Sequence, residues 1–147
     1  MENNNYDQLK LDNQLCFPLY ACARAIVKQY KPFLDEIDLT YTQYITMMVL
    51  WEHRQVTSKA LGEKLFLDSG TLTPVLKKLE EKGFVSRARM KGDERNLVVT
   101  LTEEGEALRE RALTVPPKIG SCVGLDPAEA GTLYQLLNKL LVNLEKD

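Results

Sequence analysis

Residues 58–102, SKALGEKLFLDSGTLTPVLKKLEEKGFVSRARMKGDERNLVVTLT, constrain this chain more than any other feature. Two short amphipathic runs are followed by a glycine and then by two alternating runs around a charged loop. Thr57 or Ser58 can cap the first run, which extends through Phe66, with Lys59 and Glu63 on its outer face. Asp68 and Ser69 are N-cap candidates for the second, and Gly83 sits where a helix ends on a left-handed residue. Residues 84–89 and 96–101 alternate as strands do, and residues 90–95 (MKGDER) form the turn between them.

Helix, turn, helix, glycine stop and basic hairpin, in that order, predict a winged helix-turn-helix in a mostly α member of the α/β class. Duplex DNA is therefore the first partner to consider. A net charge of −2 argues against nucleic acid at first, but the charge is unevenly spread. Residues 54–95 hold ten Lys/Arg against six Asp/Glu, leaving nine basic and fifteen acidic residues elsewhere. One part of an otherwise acidic chain thus carries a cationic footprint.

The flanks read as helices. The first should run from about residue 11 to residue 30, with Leu15, Leu19, Cys22 and Ile26 on one buried stripe and Pro18 marking a bend or the effective start. Residues 42–52 (TQYITMMVLWE) are apolar nearly all round and should form the centre of the core. Thr102-Glu-Glu-Gly opens a further helix, which Pro116 and Pro117 stop or kink. Asp126-Pro127 starts the last one, and that helix should bury Leu133, Leu136, Leu137, Leu140, Leu141 and Leu144. The terminal helices carry more apolar surface than one small winged domain can cover. A two-fold homodimer would bury it and would set two reading helices about 34–36 Å apart, as successive major grooves of an inverted repeat require.

Residues 68–82 are the proposed recognition helix. Asp68, Ser69, Thr71 and Thr73 offer polar groups to base edges and phosphates from its first turns, Gly70 keeps the approach open, and Lys77 and Lys78 follow a turn later. Leu72, Val75, Leu76 and Leu79 face the core. In the hairpin, Arg87, Arg89, Lys91 and Arg95 bring cations to a protruding loop, where Asp93 is placed to brace Arg95. A wing arginine entering a narrow minor groove reads shape more than sequence.

These stretches resemble the MarR family of repressors, and within it the OhrR organic-hydroperoxide sensors. The likeness rests on LDNQLCFPLYA, LTYTQYITMMVLWE, LFLDSGTLTPVLKKLEEKG and DERNLVVTLTEEG, which together span most of residues 11–105. It implies one domain, with the winged part at about 36–105 and residues 9–35 and 106–147 forming the dimer interface. It also implies repression of a nearby peroxidase gene until an organic hydroperoxide arrives. Lys78 departs from relatives that carry arginine there, and lysine cannot make the same bidentate contact.

The same resemblance makes Cys16 the peroxidatic cysteine, supported by Tyr20 and Tyr30. Chemically, a sensor thiol needs thiolate character and access, and the early part of a helix favours an anion. Tyr20 lies one turn on, within reach of the sulfur as a hydrogen-bond donor. Tyr30 is about 21 Å further along a straight helix, so only an antiparallel partner subunit could bring it to Cys16. Phe17, Leu50 and Trp51 are candidates for an apolar peroxide pocket. Cys22 falls on the apolar stripe, roughly 120° round the helix from Cys16, and reads as core. Cys122 (KIGSCVG) falls in a glycine-containing linker, and its placement resembles the resolving cysteine of two-cysteine members. The alternative is an incidental loop cysteine.

Three cysteines without a CxxC, and a single histidine, argue against a disulfide framework or a metal site, and no cofactor is implied. The start, MENNNYDQLK, has no signal-peptide pattern, and no apolar run is long enough to span a membrane, so a cytoplasmic protein is expected. Two other readings remain. A MarR-type regulator gated by a small aromatic ligand would not need the cysteine placement. A thiol peroxidase would not need the basic wing, so the chain is not expected to be an enzyme.

Overall fold

Local capping chemistry fixes where most of these elements begin. The computed structural model describes residues 5–145, apart from the side chains of Asp93, Glu94 and Arg95. Two short 3-10 turns, Asn5–Leu9 and Leu11–Asn13, precede α1 (Cys16–Asp35). The first helix thus starts later and ends later than the sequence predicts. Pro18 is its third residue. First-turn amides have no intrahelical acceptor, so the missing N–H costs nothing there. Thr40 starts α2 (Tyr41–His53) with a reciprocal cap: its hydroxyl accepts the Gln43 amide at 3.3 Å, and Gln43 Oε1 accepts the Thr40 amide at 3.0 Å.

The sheet has the order β1-β3-β2, all antiparallel, from β1 (Gln55–Thr57), β2 (Val85–Met90) and β3 (Asp93–Leu101). Three residues are too few for a period-2 pattern, so β1 is absent from the sequence reading. The expected six-residue turn also contracts. Met90 pairs with Asp93 across Lys91 and Gly92, while Arg89 pairs with Leu97, so residues 94–96 bulge out of register.

Between β1 and β2 lie α3 (Ser58–Leu65) and α4 (Ser69–Glu81). The core sits where α2, α3, α4 and the sheet converge: Tyr44, Met47, Leu50, Leu61, Leu72, Leu76, Leu79, Val85 and Val99 are all buried. Each leucine so enclosed contributes about 1.5–3 kcal/mol relative to an exposed one. Trp51 is buried too and donates its indole N–H to the Gly105 carbonyl at 2.9 Å, tying α2 to α5 (Glu103–Ala112). Gly105 is close-packed: a Cβ there would collide with the Phe84 carbonyl.

Two cations fasten the α1–α2 turn. Lys82, just past α4, donates to the Asp38 carbonyl and, at 3.1 Å, to Gln43 Oε1. Arg111 of α5 donates to the Glu36 carbonyl.

The chain divides into two compact units, one ending at Val115 and the other beginning at Pro116. Pro116 and Pro117 do stop α5, and they lie in the first turn of α6 (Val115–Val123). In the second unit α7 (Pro127–Leu144) starts with a capping box, Asp126 Oδ1 accepting the Glu129 amide at 2.9 Å.

Two apolar rows predicted as buried are not. At the start of α1 the cap residue Leu15 is 87% exposed, and Leu19, Cys22 and Ile26 are exposed with it, so Cys22 is not a core residue of the single chain. On α7, Leu136 is 59% and Leu144 69% exposed, Leu133 is exposed, and Leu137, Leu140 and Leu141 are half-buried. Helical periodicity specifies an apolar face but not the surface that covers it. Among the described residues no helix is long and apolar enough to cross a membrane.

Candidate nucleic-acid interface and thiol site

The reading helix is closed at both ends by its own sequence. Asp68 caps α4, its Oδ1 accepting the Thr71 amide at 2.7 Å, and Thr71 holds this carboxyl below the usual aspartate range, first through its backbone amide and then through its hydroxyl. At the other end Gly83, at φ +85°, donates to the Glu80 carbonyl and Phe84 donates to the Leu79 carbonyl, both at 3.0 Å. This pair of bonds is a Schellman stop, and only glycine takes that backbone conformation without strain.

Between the caps the two faces separate as expected. Leu72, Leu76 and Leu79 are buried, whereas Ser69, Gly70, Thr71, Thr73, Lys77 and Lys78 are exposed. Thr73 donates its hydroxyl proton to the Ser69 carbonyl at 2.7 Å, leaving its oxygen free to accept. Lys78 lies 3.5 Å from Glu81, a pair in open solvent that holds the side chain weakly. Asp68 uses Oδ1 on this cap, which orders the first turn of α4.

Within the wing, Arg87 is held by α4. It is not a free cation: its Nη2 and Nε donate to Glu80 Oε1 at 3.1 and 3.3 Å, and its backbone amide donates to Glu80 Oε2 at 3.0 Å. The guanidinium in turn holds the Glu80 carboxyl below the usual glutamate range, mainly by hydrogen bonding. Sequence reasoning missed Glu80 because its partner lies seven residues away, across the Schellman turn. Lys91 and Arg89 are exposed at the hairpin end, while the side chains of Asp93 and Arg95 lie outside the described residues.

Cys16 is the first residue of α1 and is exposed, and no hydrogen bond reaches its sulfur among the described residues. Tyr20 turns to Arg24 instead: the guanidinium lies 5.6 Å from the ring centroid, and Nη1 donates to the phenolic oxygen at 3.5 Å. Tyr30 is held elsewhere, its ring tilted against Tyr41 at 4.9 Å between centroids and 5.8 Å from Tyr44, and burial raises the pKa of the Tyr30 phenol. Because α1 is one continuous helix, Tyr30 stays remote from the Cys16 of its own chain. The sequence reading passed over Tyr41 and Tyr44; the tyrosines of the YTQY run were the only available signal. Leu50 and Trp51 belong to the core and Phe17 is exposed, so the proposed peroxide pocket does not assemble from these three within the chain.

Cys122 is not in a linker. It is exposed and lies on α6, one residue before its end, because Gly120 is accommodated inside the helix. A cleft of about 270 Å³ lies between α1 and α2, lined by Val27, Lys28, Lys31, Leu34, Leu39 and Tyr41. Among the described residues no group of three or more His, Cys, Asp or Glu side chains could hold a metal ion.

The capped reading helix, its Schellman stop and the braced hairpin make this a winged helix-turn-helix protein. Known proteins agree. A family model described as transcriptional regulator SarA/Rot matches residues 28–111. The organic hydroperoxide resistance transcriptional regulator of Bacillus subtilis is 47% identical over 142 residues, 97% of this chain and 95% of that protein. The HTH-type transcriptional regulator SarZ of Staphylococcus aureus is 42% identical over 131 residues, 89% of this chain and 88% of SarZ. Among solved structures, reduced AbfR bound to DNA matches with a TM-score of 0.76 at 37% identity, covering 95% of this chain and 98% of that one. AbfR is a protein of Staphylococcus epidermidis. Its disulfide-formed structure matches at 0.64 and 38% identity, covering 96% and 99%. The chain belongs to the MarR family of DNA-binding transcriptional regulators and is related to the OhrR, SarZ and AbfR subgroup. It is a regulator, not an enzyme.

Proposed function

We propose that the chain is a homodimeric repressor that binds an inverted-repeat operator in duplex DNA and releases it when an organic hydroperoxide oxidises Cys16. The observation that carries this reading is an exposed thiol on the first turn of α1, in a chain 47% identical to an organic hydroperoxide resistance regulator. The Cys16 thiolate attacks the outer oxygen of the hydroperoxide. The O–O bond breaks, the alcohol leaves with a proton, and Cys16 becomes a sulfenic acid. The thiol of Cys122 on the partner subunit then attacks that sulfur, forming an intersubunit disulfide and releasing water. Tyr20 and Tyr30 are assigned to Cys16 as hydrogen-bond donors, Tyr30 from the partner.

Ser69, Thr71, Thr73, Lys77 and Lys78 are assigned to the operator major groove, and Lys91, Arg95 and the flanking wing to the minor groove and backbone. Asp68, Arg87 and Asp93 are assigned to holding those elements. Support for a disulfide state comes from AbfR, which has been solved both reduced on DNA and with a disulfide formed.

Operator binding before and after stoichiometric cumene hydroperoxide, for wild type, Cys16→Ser and Cys122→Ser, tests the scheme, with non-reducing gels alongside. Wild type should release, Cys16→Ser should stay bound, and Cys122→Ser should form no covalent dimer. Release of Cys16→Ser would transfer the effector role to a small ligand.

A further inference from the structure

Phe66 breaks two preferences at once. It follows α3 as the first residue of the turn into α4, and its backbone is left-handed at φ +56°. That conformation suits glycine and asparagine; an aromatic residue adopts it only under strain. The turn itself requires it, since it returns the Phe66 and Leu67 amides to the Gly62 carbonyl. Burial could compensate, as it does for many strained residues, but Phe66 is 54% exposed. A single exposed apolar residue needs no explanation. An exposed aromatic residue at a backbone position that favours glycine does need one, because neither the core nor the chain path accounts for it.

Its position supplies the explanation. Phe66 lies two residues before the Asp68 cap, at the same end of α4 as the exposed Ser69, Gly70 and Thr71. The turn therefore continues the row of side chains through which the reading helix meets DNA. Duplex DNA offers apolar surface at that place in two forms, the thymine methyl at the floor of the major groove and the deoxyribose along its wall.

We infer that Phe66 is a DNA-contacting residue, its ring packing on a thymine methyl or the adjoining deoxyribose at the edge of the α4 footprint. This rests on the operator-binding reading above and adds an apolar contact to its polar ones.

The test compares wild type with Phe66→Asn and Phe66→Leu on a duplex selected by wild type from a random-sequence pool. Asparagine relieves the backbone, so Phe66→Asn should melt at or a few degrees above the wild-type temperature. Its operator Kd should nevertheless rise about fivefold or more, the size of one lost base contact. Phe66→Leu, which keeps an apolar group, should fall between the two. Repeating the titration with uracil in place of thymine identifies the partner surface: wild type weakens and Phe66→Asn does not if the contact is the methyl, and neither responds if it is the sugar. Binding of Phe66→Asn within twofold of wild type would overturn the inference. So would a lower melting temperature, which would place the ring in the service of the fold. A random pool that yields no bound duplex would instead sink the operator-binding reading itself.

Discussion

Asp68 carries a charge where an uncharged cap would serve as well, and that choice has a pH signature. Its carboxylate accepts the Thr71 amide at 2.7 Å, and Thr71 depresses its pKa below the ordinary 3.8. A depressed folded-state value means that the cap stabilises the fold fully above pH 3.8 and loses that contribution as pH falls through the lower, folded value. Asparagine caps equally well but does not titrate there. Asp68→Asn should therefore match wild type at neutral pH, and wild type should become the less stable of the two on acidification through the lowered aspartate value. Urea melts across that range measure it; a constant difference between the two proteins would refute the assignment. Asp68 was legible in the sequence as a cap because capping is local. Tyr20 was less so: its reach to Cys16 follows from helical spacing, but its engagement with Arg24 on the same face depends on rotamers that spacing does not encode.

At the scale of elements, α4 and the wing behave as one piece because Glu80 holds both the guanidinium and the backbone amide of Arg87. The helix–Gly–hairpin order was readable from residues 58–102. The bond joining the two was not, since it crosses a turn and pairs residues that each looked solvent-facing. Two arginine-or-lysine truncations separate the roles. Lys77→Ala removes an exposed cation from α4 and should lower the slope of log Kd against log salt by about one per subunit. Arg87→Ala should weaken binding to the same operator with the slope unchanged, because it loosens the wing rather than baring a phosphate. A reduced slope for Arg87→Ala would mean that the guanidinium leaves Glu80 to meet DNA. The missed strand β1 has a similar origin: Gln55–Thr57 becomes a strand only by pairing with residues 98–100, more than forty positions away.

For the whole molecule, the exposed leucines of α7 and the apolar row of α1 are the unfinished part of the fold. Their periodicity was plain in the sequence, and a covering surface was expected; one chain does not supply it. In the proposed dimer these rows face a second copy, so Leu136→Arg should shift sedimentation from dimer toward monomer and weaken operator binding by tenfold or more, since two half-sites would no longer be read together. A variant that sediments as a dimer would move the interface elsewhere. A protein that pairs on DNA as proposed must also avoid gathering without limit. In a three-stranded sheet of order β1-β3-β2, β2 is an edge, and an edge strand with open amides invites another chain to add itself. The Glu80 carboxylate, seated on the Arg87 amide, occupies a donor midway along that edge with a negative charge that an incoming strand would have to displace. The bond that stiffens the wing is thus also a guard against aggregation, and its loss would show first as turbidity in concentrated protein.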